Sequence, residues 1–165
     1  MLPKSLSYLK KSRTRSEDGA FEFREPTPRP GRPSVPELSL AVLVVEDEQL
    51  IWELVEGALV DGGYEAEVAA TGEEAVTLLQ GTNSKYRALV TDINLAGTVD
   101  GWEVARCARA IDPNFPIIYM SGAAAHEWPV QGVPNSVLIA KPFAPAQLVT
   151  AISNLLNATP LPPTD

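Results

Sequence analysis

The sequence predicts a three-layer, doubly wound α/β fold with a parallel sheet at its centre. Three observations carry that prediction. Apolar runs such as Ala41-Val42-Leu43-Val44-Val45 are continuous rather than alternating, which marks strands buried on both faces. Segments with helical spacing alternate with those runs, so the strands must be joined by right-handed crossovers, with helices covering both sides of the sheet. Five such units fill residues 40–157, a length that suits one domain.

The elements follow in order. Ala41–Val45 is the first strand. Leu50, Ile51, Leu54, Val55, Ala58 and Leu59 then share a helical face, and Gly62-Gly63 ends that helix. Tyr64 to Ala69 is a second, more polar strand, as expected at a sheet edge. Thr71 with Glu74 three residues on is a capping box for a helix through Gln80. Arg87 to Thr91 is a third buried strand. Asp100 and Glu103 open another helix, closed by Asp112-Pro113. Phe115 to Met120 is the fourth strand. Pro129, Gly132 and Pro134 then leave little room for a full fourth helix. Val137 to Ala140 is the fifth strand, and Pro145 suits the first turn of a helix to about Asn157.

The flanks differ in kind. Residues 1–39 hold six of the 15 prolines and no sustained periodicity, so they read as a disordered extension. Leu2, Leu6 and Leu9 share a helical spacing there, followed by Lys10 and Lys11, the pattern of a short basic docking helix. The extension carries eight Lys and Arg against five Asp and Glu. Its net charge of +3 leaves −11 on the remainder of a chain whose total is −8. So acidic a body repels a phosphate backbone and argues against nucleic-acid binding. Residues 158–165 read as a disordered tail, too short and proline-rich for an output domain. Cys107 is the only cysteine, which excludes a disulfide framework and fits a reducing cytoplasm. No apolar run nears the ~20 residues that span a bilayer, and no secretory signal opens the chain. The expected location is cytoplasmic.

In doubly wound sheets ligands bind beyond the carboxyl ends of the strands. Those positions hold Glu46-Asp47-Glu48 after the first strand, Asp92 after the third, Ser121 after the fourth and Lys141-Pro142 after the fifth. Taken singly, acids after a strand cap helices, and Asp92, Ser121 or Lys141 could be turn or surface residues. Together they bring three or four carboxylates, a hydroxyl and an ammonium to one rim. Clustered carboxylates raise each other's pKa unless a cation sits among them, and Mg²⁺ suits an all-oxygen site. One carboxylate can then attack phosphorus. The metal and Lys141 offset charge on the transferring phosphoryl oxygens, and Ser121 can donate to one of them.

These residues lie in Val-Leu-Val-Val-Glu-Asp-Glu (42–48), Thr-Asp-Ile-Asn-Leu (91–95), Asp-Gly (100–101), Ser-Gly (121–122) and Lys-Pro-Phe (141–143). In that order and spacing the chain resembles a response-regulator receiver domain of the CheY-like family over nearly all of residues 40–157. More narrowly it is similar to stand-alone alphaproteobacterial receivers. The resemblance implies a flavodoxin-like (βα)5 fold with strand order 2-1-3-4-5. It implies Asp92 as phosphoacceptor and Mg²⁺ held by Asp47, by Glu46 through water, by Asp92 and by the backbone carbonyl of Asn94. Ser121 and Lys141 would assist, and the Lys141–Pro142 bond would be cis. The implied partners are a sensor histidine kinase or histidine phosphotransfer protein and an unknown downstream protein. Four features depart from the common pattern. Glu46 stands where Asp is usual. The loop from Asp92 to Gly101 is one residue longer, with Ala96 in place of proline. Leu138 replaces an aromatic that usually moves inward on phosphorylation, and the fourth helix is clipped.

The implied function is a phosphoacceptor signalling protein rather than an enzyme, with output by protein contact or onward phosphotransfer. A non-phosphorylated pseudo-receiver is one rival, kept open by Leu138. A metal-dependent phosphohydrolase is another, although Asn94 stands where its general acid is needed. The remaining chemistry-bearing residues read as structural. His126 is expected on the surface, while Cys107 packs with Val104 and Ile111. Trp52 and Trp102 are packing residues, and Trp128 is expected to be an exposed docking aromatic.

Overall fold

The computed structural model describes residues 39–158. The expectations for the N-terminal extension and the C-terminal tail fall almost wholly outside those residues. Within them, five strands form one parallel sheet: β1 (Ala41–Val45), β2 (Glu65–Ala69), β3 (Tyr86–Asp92), β4 (Ile117–Ser121) and β5 (Val137–Ala140). Their order is β2-β1-β3-β4-β5. The helices are α1 (Gln49–Asp61), α2 (Gly72–Leu79), α3 (Gly101–Ile111), α4 (Trp128–Gln131) and α5 (Pro145–Ala158), with a 3₁₀ turn at Ala124–Glu127. The expected flavodoxin-like (βα)5 architecture is present.

The continuous apolar character of β1 now has its cause. Leu43 and Val45 face a core with Leu89, Tyr119, Ala105 and Ala108, on the α2–α3 side of the sheet. Val42 and Val44 face a second core with Val90, Met120, Leu59, Leu148 and Ile152, on the α1–α5 side. Both faces of the strand are dry, so both parities must be apolar. β2 lies at an edge and carries Glu65 and Glu67, which is why it reads as polar. The ladder runs further than expected at two places. Asp92 pairs with Met120 and Ser121 with Ala140, so both are last strand residues rather than loop residues. Strand ends are stiffer than loops, and that stiffness passes to the site.

Local signals account for the helix starts. Thr71 Oγ1 accepts the Glu74 amide at 3.1 Å, and Glu74 Oε2 accepts the Ala70 amide at 3.0 Å. Asp100 Oδ1 accepts the Glu103 amide at 2.9 Å. Thr71→Ala is expected to cost about 1 kcal/mol by orphaning an N-terminal donor of α2. Urea unfolding should show it as a lower midpoint with an unchanged slope.

Three expectations are corrected, and the choice between three and four clustered carboxylates is narrowed to three. Leu50 is 82% exposed and Leu54 is 45% exposed, because the buried stripe of α1 runs through Val55, Ala58 and Leu59. Each of the two leucines precedes a stripe residue (Ile51, Val55) by one position, about 100° round the helix. Ile111 is exposed, because the last buried residue of α3 is Ala108. Trp128 is half-buried rather than a free docking aromatic, since its Nε1 donates to Ser136 Oγ at 3.0 Å and its ring lies on the core. Glu48 caps α1 by backbone position alone and stands apart from the other carboxylates of its segment. The clipped fourth helix is as expected: four residues, with proline in its first turn, ending at Gly132.

Candidate functional site

β1 and β3 are neighbours where the strand order reverses, so their carboxyl ends open a crevice. β1 delivers Glu46 and Asp47 there, and β3 delivers Asp92. Oxygen atoms of these three carboxylates all lie within 4.8 Å of one another. Glu46 is fully buried and Asp92 nearly so, while Asp47 is exposed. Lys141 follows directly on β5, and its Nζ stands 2.9 Å from Glu46 Oε2 and 3.5 Å from Asp92 Oδ1. Its backbone amide is held by the Ser121 carbonyl at 2.9 Å, which locks the end of β5 to the end of β4. The Lys141–Pro142 bond is cis.

Burial raises the pKa of Glu46, against the opposing hydrogen bond from Lys141. Burial likewise raises that of Asp92, against the Lys141 charge and the Ile93 amide. Desolvation works against the Lys141 ammonium too, yet its pKa ends up raised. The Glu46 hydrogen bond and the two carboxylate charges together outweigh burial. One ammonium thus serves two carboxylates, and negative charge remains in excess. A divalent cation answers that excess, and an all-oxygen donor set of carboxylates fits Mg²⁺.

The donors on Asp92 are sorted by oxygen. Oδ1 accepts the Ile93 amide at 2.8 Å and takes the approach of Lys141. Among the described residues no protein donor reaches Oδ2, which leaves that atom for a metal or an electrophile. Ser121 is buried, and its Oγ accepts the Ala124 amide at 2.9 Å. Its hydroxyl proton is thereby free to be donated elsewhere. Asn94 is exposed two residues beyond Asp92, in the loop that leads to α3.

Two residues near the site were not singled out from sequence. Tyr119, fully buried on β4, packs its ring at a tilt of 57° against Trp102 at a centroid distance of 4.8 Å and pairs in register with Leu138. Its hydroxyl accepts the Val133 amide at 3.2 Å, so an aromatic does tie β4 to the loop after α4, one strand over from the usual place. Its position two before Ser121, on the same face of β4, was the available signal. Glu73 of α2 accepts three hydrogen bonds from the loop that follows β3. Nothing local pointed to it.

Comparison with known proteins agrees with this geometry. The profile of the response regulator receiver domain matches residues 42–153. A response regulator receiver protein from Sinorhizobium medicae is 43% identical, covering 73% of this chain and 97% of that one, with a TM-score of 0.71. The receiver domain of a sensor histidine kinase from Pseudomonas aeruginosa, solved with a magnesium ion in its active-site cleft, is 26% identical. That match covers 73% of this chain and 99% of the other, with a TM-score of 0.63. The transcriptional regulatory protein CusR of Escherichia coli is 28% identical over 120 residues, 72% of this chain and 52% of CusR. The chain spans about half the length, or less, of the curated relatives it matches.

Proposed function

The chain belongs to the response regulator receiver family of two-component signalling modules, and from that premise we propose that Asp92 accepts a phosphoryl group in a Mg²⁺-dependent reaction. The donor is the phosphohistidine of a sensor kinase or histidine phosphotransfer protein. An Asp92 carboxylate oxygen forms the new O–P bond while the donor's N–P bond breaks, and the departing imidazole takes up a proton. Asp47, Asp92, the Asn94 carbonyl and, through water, Glu46 would hold the metal, which would neutralise charge on the transferring oxygens. Lys141 stays with the phosphoryl group, and Ser121 donates to one of its oxygens. We read this receiver as acting in the cytoplasm, with output by protein contact or onward phosphotransfer. No helix among the described residues is long and apolar enough to cross a membrane.

The observation that carries this reading is the meeting of Glu46, Asp47 and Asp92 with Lys141 at one rim, from three non-consecutive strands. A new charge of about −2 on Asp92 would draw the Ser121 hydroxyl off the Ala124 amide. That is a local change able to shift the loop after β4 between two packings. Leu138 leaves that shift without the usual aromatic partner.

The test is to incubate the protein with acetyl phosphate and Mg²⁺, or with a phosphorylated kinase, and follow intact mass. An acid-stable, base-labile adduct that maps to Asp92 and does not form when EDTA is present from the start is expected. No adduct from any donor would favour the pseudo-receiver. Steady phosphate release from unrelated monoesters would favour the hydrolase.

A further inference from the structure

The segment from Ile93 to Asp100 must turn the chain from β3 to α3, and its amides need partners there as anywhere. At its base the Gly101 amide donates to the Ile93 carbonyl at 2.9 Å. At its tip the partner comes from a different element. Oε1 of Glu73, in the first turn of α2, accepts the Thr98 amide at 2.8 Å, the Thr98 hydroxyl at 2.9 Å and the Val99 amide at 3.2 Å.

Two glycines make room for that contact. Gly97 has φ 101°, a left-handed conformation in which a Cβ would lie 2.8 Å from Glu73 Oε1. Gly72 lets the Val99 carbonyl approach to where its own Cβ would lie, 2.3 Å from that oxygen. Hydrogen bonds from Glu73's own amide and then from Thr98 hold the Glu73 carboxyl at about 2, so it is charged at any working pH.

We propose that Glu73 is a positioning residue for the metal step, clamping the loop that carries Asn94 so that the Asn94 carbonyl is held ready as a metal ligand. The proposal rests on the reading of Asp92 and Asn94 given above. The loop has particular need of a clamp. It is one residue longer than the common version, and Ala96 lacks the φ restriction that proline would impose. Glu73 supplies from outside the order that the loop's own sequence does not. No other described side chain is hydrogen-bonded to residues 97–99.

The experiment measures metal binding without phosphorylation. Mn²⁺ serves as a paramagnetic probe of the Mg²⁺ site, read by water-proton relaxation on wild type, Glu73→Ala, Glu73→Gln and Thr71→Ala. Glu73→Ala is expected to weaken binding about tenfold, the usual scale for losing a residue that orients a metal ligand. Glu73→Gln keeps an acceptor oxygen and should recover most of the affinity. Thr71→Ala weakens the same helix but leaves the clamp intact, and should bind as wild type does. Glu73→Ala binding like wild type would overturn the proposal. So would Thr71→Ala losing as much, which is helix weakening, or Glu73→Gln losing as much, which is charge alone. A wild type that binds no Mn²⁺ would sink the underlying reading of the site, a failure separate from these.

Discussion

Asp92→Asn is expected to leave no base-labile phosphoryl adduct with any donor at any Mg²⁺ concentration, while the protein stays folded. An amide oxygen is a far weaker nucleophile than a carboxylate oxygen and cannot form the mixed anhydride. The fold should survive because asparagine presents the same acceptor to the Ile93 amide, now 2.8 Å from Asp92 Oδ1. Lys141 is not orphaned either, since it keeps Glu46 at 2.9 Å. Stability should in fact rise in metal-free buffer at neutral pH. The pKa of Asp92 in the folded protein is raised by burial above its ordinary value of 3.8. A raised pKa means that its favourable share of stability is present below that value and lost as pH climbs through the folded pKa. At pH 7 the ionised carboxylate is therefore a burden that asparagine lifts. The urea midpoint of the variant should exceed that of wild type at pH 7, with the gap narrowing as pH falls toward 4. A persisting adduct would sink the acceptor assignment, and a lower midpoint at pH 7 would sink the electrostatic account.

What could be read from the sequence was whatever local chemistry and strand parity decide. Thr71 and Asp100 meet their amide partners three residues away, so their caps were visible as short motifs. Strand ends in a parallel sheet all point the same way, so reading the residues at the ends of β1, β3 and β5 was enough to bring Glu46, Asp92 and Lys141 together, with Ser121 at the end of the neighbouring β4. Contacts between elements were another matter. Periodicity placed Leu50 and Leu54 on a helical face but could not say how wide the buried stripe is, and both turned out beyond its edge. Trp128 was read from its neighbour Pro129, whereas its position is decided by Ser136 on the far side of α4. Glu73 is separated by 25 residues from the amide it holds, in an element whose own capping box explains its acids well enough. A residue with a sufficient local explanation gives no signal of a second role.

The same substitution at two glycines should have opposite effects, and the contrast tests how the site is packed. Gly57→Ala, on the exposed side of α1 with nothing within 4 Å of the added methyl, should stabilise the protein by up to about 1 kcal/mol, through helix propensity alone. Gly101→Ala enjoys a similar propensity at the start of α3 but meets a wall. Its Cβ would lie 2.0 Å from the Asp92 carbonyl oxygen, 2.8 Å from Ile93 Cα and 2.9 Å from the Asp92 carbonyl carbon. All three are backbone atoms, so no rotamer change relieves the clash. Either α3 moves away, losing the Gly101 amide bond to Ile93 and the buried contacts of Trp102, or the end of β3 gives way. Overpacking of this kind costs about 3 kcal/mol, which exceeds the propensity gain several-fold. Because the displaced backbone is that of Asp92 itself, the damage should extend to chemistry. In the fraction that remains folded in the cold, phosphorylation by acetyl phosphate should slow by about 100-fold, the scale expected when a reacting group shifts by an ångström. A Gly101→Ala protein as stable and as reactive as wild type would mean that α3 does not press on the acceptor strand. The register of the site would then have to be set by Lys141 and the β4–β5 side instead.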